Sequence, residues 1–435
     1  MLELANHFKN KNILIYGFGK SGKSSFYYLK KNNDVKIYDD KKSSIPKNLK
    51  RYSINKSKLI FNSFDKIVIS PGIDIKKCSL KKYLSKNIDK IVNELDIFYS
   101  NNLKNKKITI TGTNGKSTTS KLLYDILKKH NYDVRLLGNI GKPLLSEKNI
   151  NPKTIFVIEA SSYQIEYSKY FKTDFAIILN ITPDHLERHG TFKKYVKSKL
   201  KLITNQEKGY AFIEKNNNFL KNNKINSKLI KVSTKISKKI KRDIKNPYFK
   251  NRNNLNNLKF IFEIANKLNL KKIKIFKVVN SFKELKYRQQ ILHNNKKLLI
   301  INDSKSTSFS SSIELLKSYP NIYWIVGGKF KKGDKFYLNK KYCKNIKAYI
   351  YGKNKYFFIK NLNNRIQYKT FKNIKDVLLR IFIDIKKNNL YPVSIIFSPS
   401  AASFDQFNNF EDRGRYFNSL IKTKNFIKRI YAWFK

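Results

Sequence analysis

The chain has 435 residues, 41% of them hydrophobic and 14% aromatic, so it has apolar material for cores and is not a wholly disordered chain. At about 150 residues per domain that length makes two or three domains rather than one. Lys plus Arg number 92 against 30 Asp plus Glu, a net charge of +62, but the lysines run from end to end with no segregated basic arm, and we read them as the background composition of an AT-rich genome.

The first third alternates strands and helices. Asn12–Tyr16 is a short apolar run ending in Gly17, and a helical stretch follows. Val35–Tyr38 ends in Asp39, and Lys66–Ile69 ends in Ser70-Pro71-Gly72. Such βαβ patterning implies a parallel sheet with its sites at the strand C-termini. A second unit opens at Lys107–Ile110, passes through Thr111-Gly112-Thr113-Asn114-Gly115-Lys116-Ser117-Thr118 and continues as a helix to Lys129. Strands are expected at Thr154–Ile158 and Phe175–Leu179, and loops with short strands over the Lys/Asn-rich stretch from Asn216 to Asn257. A third unit begins near Glu284, with strands at Lys297–Ile301, Ile322–Val326, Ala348–Tyr351 and Val393–Phe397. The expected fold class is therefore α/β in three consecutive domains. These are a Rossmann-like unit at 1–94, a central P-loop-type ATPase unit at 95–284 and a Rossmann-like unit at 285–435.

Cys78 and Cys343 lie far apart and match no metal or disulfide pattern, which fits a reduced, cytoplasmic setting. Met1 to Asn10 lacks the apolar core of a signal peptide, and no run of about 18 apolar residues offers a membrane span. Arg, favoured for bidentate phosphate and guanine reading, is scarce beside Lys, so no specific nucleic-acid partner is expected.

Two glycine turns compete for a nucleotide. Gly17-Phe18-Gly19-Lys20-Ser21-Gly22-Lys23-Ser24 fits both G-x-G-x-x-G and the strict G-x-x-x-x-G-K-[ST] pattern. The turn from Gly112 to Ser117 fails the strict pattern, because Ile110 stands where its first glycine belongs. We nevertheless place the triphosphate on the second turn. A lysine at any given position is cheap in this chain, and the first turn sits where a Rossmann-like unit holds a diphosphate on a helix N-terminus. Lys116 reaches toward a β/γ-phosphate, and Ser117 is a ligand for Mg²⁺. Glu159 at a strand end and His185 in Thr182-Pro183-Asp184-His185 add hard donors downstream. Taken singly, Glu159 also reads as a helix N-terminal acid and His185 as an ordinary loop histidine.

With these pieces in view the sequence resembles the Mur ligase family, the ATP-dependent amide ligases of peptidoglycan synthesis. The matching segments are Thr111 to Thr119, Gly138-Asn139-Ile140-Gly141, Glu159 to Gln164, Asn180 to His185, Asn302 to Thr307, and Ser398 to Gly414. They stand in family order across all three units, and the last is particular to the D-glutamate-adding members. The resemblance implies ATP on Gly112, Thr113, Asn114, Gly115, Lys116, Ser117 and Thr118. Asn254 and Asn257 match the adenine-contacting pair, and Arg288 and Asp303 would reach the phosphates and the ribose or metal. It implies two Mg²⁺ sites, with Ser117 and Glu159 at one and His185 at the other. Lys199 matches a lysine that family members carbamylate, giving it carboxylate-like oxygens; from spacing alone it is one more surface lysine. Lys116, His185 and Lys199 are thus the implied catalytic residues.

The resemblance assigns the UDP-linked substrate to Gly17, Gly19, Ser21, Gly22, Asp39, Ser70, Pro71, Gly72 and Asn139. D-Glutamate would meet Thr307, Lys331, Ser403 and Phe410, with Lys329 and Lys332 competing with Lys331 by register. Phe410 alone also reads as core packing, and Asp39 as an ordinary turn aspartate. Two departures stand out: Asn251 and Asn253 occupy positions where the family often has Gly and His, and Lys23 completes the rival P-loop match.

The implied reaction is ligation of D-glutamate to UDP-N-acetylmuramoyl-L-alanine through an acyl phosphate, by a cytoplasmic monomer that binds no membrane. Two active alternatives remain at this point, beside a catalytically silent homologue that the intact Lys116, Glu159, His185 and Lys199 set argues against. One is a family member that adds another amino acid. The other is a nucleic-acid-binding NTPase using Gly17–Ser24.

Overall fold

The computed structural model describes residues 4, 6–59, 61–221, 223–233, 236–331, 333–388 and 390–422. The described residues form three sheets. The first has strands β1 (Asn12–Tyr16), β2 (Asp34–Tyr38), β3 (Lys66–Ile69) and β4 (Ile91–Val92) in the order β2-β1-β3-β4, all parallel. The second has β5 (Lys107–Thr111), β6 (Val134–Gly138), β7 (Ile155–Glu159), β8 (Phe175–Ile178), β9 (Tyr210–Glu214) and β10 (Lys228–Val232). Its order is β10-β9-β8-β5-β7-β6, again all parallel. The third comprises β11 (Gln290–Asn294), β12 (Leu298–Asn302), β13 (Ile322–Gly327), β14 (Ile346–Tyr351), β15 (Gln367–Phe371) and β16 (Val393–Phe397). Its order is β11-β12-β16-β13-β14-β15, with only β11 antiparallel to its neighbour.

The central strands explain the sequence pattern. β5, β7 and β8 are buried along their whole length, as parallel strands covered on both faces must be, and they read as continuous apolar or Thr-containing runs. The helices used below are α1 (Lys20–Leu29), α2 (Glu94–Asn101), α3 (Lys116–Lys129), α4 (Ser162–Tyr167), α5 (Phe192–Thr204), α6 (Arg252–Lys267), α7 (Phe309–Leu316), α8 (Ile374–Asn388) and α9 (Phe410–Lys422).

The chain divides into two compact units. The first contains Met1–Ile181, Arg188–Ser237 and Lys259–Val278, and the second Thr182–Glu187, Lys238–Leu258 and Val279–Lys435. Both N-terminal sheets belong to the first unit and share one apolar core, running from Phe8 and Ile13 through Phe156 and Ile158 to Leu220. The joint between these sheets is polar and well bonded. Asp96 of α2 is buried and accepts from the backbone N–H groups of Lys169, Tyr170 and Phe171 and from Ser168 Oγ. Burial pushes that carboxyl up, and the four donors hold it down. In the second unit two apolar layers cover the faces of the third sheet, one around Trp324 and Phe309 and the other around Tyr349, Phe397 and Phe417.

The stretch from Asn216 to Asn257 holds more helix than its composition suggests: besides β10 it includes Lys238–Asp243 and the start of α6. Among the described residues no helix is long and apolar enough to cross a membrane.

Candidate active site

β5 delivers the chain to Gly112 at the C-terminal edge of the second sheet. Gly115, at φ +83°, is left-handed and caps α3, so Lys116 is the first helical residue. The Lys116 ammonium folds back over the turn, donating to the Gly112 carbonyl at 2.8 Å and the Thr113 carbonyl at 2.9 Å. Ser117 is buried in the first turn of α3. Asn180, just beyond β8, staples the turn: its carbonyl accepts from Thr113 N at 2.9 Å and its Oδ1 from Asn114 N at 2.8 Å, while its Nδ2 donates to the Asn114 carbonyl. The sequence offered Asn180 only as the first letter of a motif.

Glu159 ends β7, directly beside Ile110 of β5. Its Oε1 accepts from Asn139 Nδ2 at 2.7 Å. Its Oε2 is buried and has no hydrogen-bond partner among the described residues. A buried carboxylate oxygen left so is costly unless a cation takes it, and a hard oxygen next to a phosphate turn suits Mg²⁺. Among the described residues no cluster of three His, Cys, Asp or Glu side chains forms a self-contained metal cage.

Lys199, which spacing alone made a surface lysine, is 1% exposed. From α5 its Nζ donates to the Gly112 carbonyl at 2.9 Å, lies 3.4 Å from Thr111 Oγ1 and sits 4.8 Å from the centroid of the Tyr195 ring. Lys116 and Lys199 thus converge on one carbonyl.

The first turn has another register. α1 begins at Lys20, so Gly22, Lys23 and Ser24 are helical, Lys23 N donates to the Gly19 carbonyl, and the Lys23 side chain is exposed. The strict P-loop letters therefore run into the helix, and Lys23 is not its first residue as Lys116 is in the second turn. Gly22 permits close packing instead: a Cβ there would stand 1.9 Å from the Gly17 carbonyl oxygen. Ser70 Oγ donates to that same carbonyl at 2.7 Å. Asp39 is tied to the turn, its Oδ2 accepting from Phe18 N at 2.6 Å and its Oδ1 from Lys41 N at 2.8 Å. Ser21 donates to the buried Glu94, whose carboxyl is pushed up by burial. Arg188 Nη2 donates to the Ile73 carbonyl at 2.5 Å and Nη1 to the Gly72 carbonyl at 3.4 Å, fixing the segment after Pro71. Glu94 and Arg188 carried no sequence signal for this role.

In the second unit, Asn254 Nδ2 donates to the Tyr248 carbonyl at 3.1 Å and to Gln289 Oε1 at 3.0 Å, and Asn257 is buried one helical turn later. Asn251, at the family's glycine position, accepts from Asn253 N at 2.8 Å and thereby starts α6. Asp303 is buried at the end of β12, accepting from Gln289 N at 3.0 Å and Ser398 Oγ at 2.9 Å. Burial pushes its carboxyl up to about 7, against the pull of these bonds and of Arg288 and Arg413. The Arg288 guanidinium lies 5.8 Å from the Phe410 ring centroid and Lys305 Nζ 4.0 Å, so Phe410 presents a cation-bearing face rather than core packing alone. Ser403 is buried and Thr307 half-buried.

His185, at φ +54°, has Nε2 3.4 Å from Asp184 Oδ2 and Nδ1 3.5 Å from Glu187 Oε1. Lys331 Nζ is 2.6 Å from Asp184 Oδ1. Asp184 joins two predicted site residues and was not singled out by the sequence. Lys329 is exposed, and Lys332 lies outside the described residues.

Against known proteins, the Mur ligase middle domain matches residues 110–306 and the MurD-like N-terminal domain of Mur ligases matches residues 11–92. The UDP-N-acetylmuramoylalanine–D-glutamate ligase of Rickettsia bellii is 32% identical over 446 residues, covering 96% of this chain and 98% of its own. The ligase of the same name from Elusimicrobium minutum is 34% identical over 457 residues, covering 96% and 99%. Among solved structures, MurF from Acinetobacter baumannii has a TM-score of 0.58 at 15% identity, covering 84% of this chain and 87% of its own. The MurF ligase of Thermotoga maritima in complex with ADP has a TM-score of 0.53 at 15% identity, covering 86% and 91%. Those two likenesses speak for the fold alone.

Proposed function

We infer, from the premise that this chain belongs to the Mur ligase family, that it adds D-glutamate to UDP-N-acetylmuramoyl-L-alanine at the expense of ATP. It is an amide-forming ligase of peptidoglycan precursor synthesis, and the UDP-N-acetylmuramoylalanine–D-glutamate ligases it resembles match over nearly their whole length. The observation that carries the ATP half is the register of the second turn, where Lys116 opens a helix and its ammonium lies over two turn carbonyls.

The residue roles are our proposal. Gly112 to Thr118 cradle the phosphates, with backbone N–H groups and the Lys116 ammonium neutralising charge as the γ-phosphoryl group moves. Asn254 and Asn257 take the adenine, and Arg288 and Asp303 the ribose and phosphates. The L-alanyl carboxylate attacks the γ-phosphorus, ADP leaves, and an acyl phosphate forms. The D-glutamate amine then attacks that carbonyl, phosphate departs, and the amine's proton passes to solvent or a nearby base. Thr307, Lys331, Ser403 and the Phe410 segment face the two D-glutamate carboxylates with hydroxyl and cationic donors. Gly17, Gly19, Ser21, Gly22, Asp39, Ser70, Pro71, Gly72 and Asn139 hold the UDP-sugar.

The orphan Oε2 of Glu159 supports a Mg²⁺ there with Ser117, and we assign a second to His185 and take Lys199 to be carbamylated. When bound, Mg²⁺ would supply charge neutralisation on the phosphate oxygens. The buried position of Lys199 supports modification: carbon dioxide would add to its neutral amine, a proton would leave, and two oxygens would replace the ammonium. We set the domain limits at 94/95 and 284/285, and take the enzyme to act as a cytoplasmic monomer. Both cysteines are free, which suits that compartment.

Phosphate release from ATP with UDP-N-acetylmuramoyl-L-alanine tests the reading. D-Glutamate should be required for turnover, and nucleic acid should not stimulate it. Release supported by L-alanine or a diamino acid but not by D-glutamate would refute the substrate assignment.

A further inference from the structure

The ends of β12 and β16 carry a connected set of buried hydroxyls. Ser312 of α7 is its hub: its Oγ lies 2.7 Å from Ser306 Oγ, 2.7 Å from Ser398 Oγ and 2.6 Å from Ser400 Oγ. Ser398 Oγ reaches on to Asp303 Oδ2 at 2.9 Å, and Ser306 Oγ to Ser311 Oγ at 2.7 Å. Ser312, Ser398, Ser400 and Ser306 are all buried.

With Ser398 donating to Asp303, donor counting sets the direction of the bonds around Ser312. A serine hydroxyl has one proton to give and two lone pairs to receive with, so three hydroxyl neighbours saturate Ser312. Ser398 Oγ gives its proton to Asp303 Oδ2. Ser312 must then donate to Ser398, and Ser306 and Ser400 must both donate to Ser312. The other acceptor within reach of Ser400, the Ser398 carbonyl, is 3.4 Å away and is a poor competitor. Ser311 closes the chain, sharing its proton between Ser306 and the Ser308 carbonyl at 2.6 Å. Removing the hub strands two buried donors and one acceptor at once.

A second observation comes from the backbone. Ser400 has φ +56°, a left-handed conformation that residues with a Cβ seldom adopt. Its hydroxyl bond to Ser312 is what this strained turn returns to the structure. Ser400 belongs to the turn that leads to Ser403, and Ser306 to the turn that leads to Thr307. Arg413, fully buried on α9, also bonds both turns, donating to the Ser304 carbonyl at 2.7 Å and the Ala401 carbonyl at 2.9 Å.

We propose that Ser312 is a positioning residue for the amino-acid substrate. Its hydroxyl holds the Thr307 turn and the Ser403 turn at a fixed separation and ties both to Asp303. This rests on the assignment of Thr307 and Ser403 to D-glutamate. Ser312 itself touches no substrate; it acts through the two turns.

The test is steady-state kinetics of the full-length enzyme with UDP-N-acetylmuramoyl-L-alanine, ATP and D-glutamate, each varied in turn. For Ser312→Ala the KM for D-glutamate should rise about tenfold, with kcat and the other two KM values within about twofold. Ser400→Gly separates position from stability. It removes one hydroxyl arm but relieves the left-handed backbone, so thermal stability should hold or rise while the KM for D-glutamate still increases. The double variant should be no worse in that KM than Ser312→Ala alone, because both changes cut one network. A D-glutamate KM that stays within twofold of wild type in both single variants would overturn the proposal. So would equal rises in all three KM values. If wild type turned over only with another amino acid, the D-glutamate assignment alone would fall. The KM for that amino acid in the two variants would then decide the role of Ser312.

Discussion

In the turn after β1 the helix starts at Lys20 and swallows Gly22, Lys23 and Ser24; in the turn after β5 the helix starts at Lys116. The first turn carries the complete P-loop letters and the second lacks the leading glycine, yet only the second has an ammonium lying over the turn's own carbonyls. What separates them is helix register. A phosphate needs free N–H groups, which a helix offers only in its first turn, and a lysine placed there sees the same anion. Lys23 sits a turn too late and points to solvent. The glycines differ in the same way. Gly115 is needed for a left-handed cap, whereas Gly22 is needed because the Gly17 carbonyl is against it.

The sharpest way to break this comparison is to remove each lysine. Lys116→Ala should lower kcat/KM for ATP about a thousandfold, ~4 kcal/mol of transition-state stabilisation. Lys23→Ala should stay within about twofold, since an exposed cation outside the site contributes little. Phosphate release under saturating D-glutamate reads both. Equal losses, or the reverse order, would return the nucleotide to the first turn.

A smaller effect sharpens the glycine contrast. Gly22→Ala puts a methyl into the Gly17 carbonyl and should cost about 3 kcal/mol or more of stability, with loss of binding to the UDP-linked substrate. At Gly19 a Cβ meets nothing within 4 Å, so Gly19→Ala should stay within about 0.5 kcal/mol. Chemical denaturation of the two variants decides it, and similar midpoints would contradict the close approach seen here.

The same contrast shows what the sequence could tell. β1, β3, β12, β13 and β16 were legible because strands buried on both faces leave apolar runs closed by glycine, serine or aspartate. β15, Gln-Tyr-Lys-Thr-Phe, was not legible: it is an exposed edge whose lysine protects it from pairing, and it reads as loop. β10 hides in the same way, as Lys-Leu-Ile-Lys-Val. In so lysine-rich a chain, aliphatic stems also cover apolar surface and blur the helical periodicity, which obscured the start of α6. For the proposed site, letters singled out Lys116, Glu159 and Lys199, but their surroundings are products of folding. Lys199 reads as surface by spacing and is buried against Gly112. Lys331 meets Asp184 across 147 residues, a pairing no local pattern encodes. Three α/β units were visible in order, whereas the shared core of the first two was not, because contacts between sheets leave no periodic trace.

The two strands that feed the turns give the last comparison. Each begins with an N–H held by a distant aspartate: Asn12 N donates to Asp65 Oδ2 and Lys107 N to Asp174 Oδ2, both at 2.8 Å. The side chains diverge. Asn12 donates to the Ser63 carbonyl at the surface, while Lys107 is buried with Nζ 2.6 Å from the Asn105 carbonyl and 5.3 Å from the Tyr99 ring centroid. Burial brings the Lys107 amine down to about 8 from its ordinary 10.5, with Asp174 opposing. A lysine with a depressed folded-state pKa binds fewer protons folded than unfolded between those two values, so stability rises with pH there. Below about 8 the full cost of the buried charge is present, and above 10.5 it is gone. Lys107→Met should therefore exceed wild type in stability by about 1–3 kcal/mol at pH 7, and lose most of that lead by pH 10.5. Paired denaturation curves at the two pH values measure it. A lead that does not change with pH would mean the gain comes from packing the methionine rather than from discharging the amine.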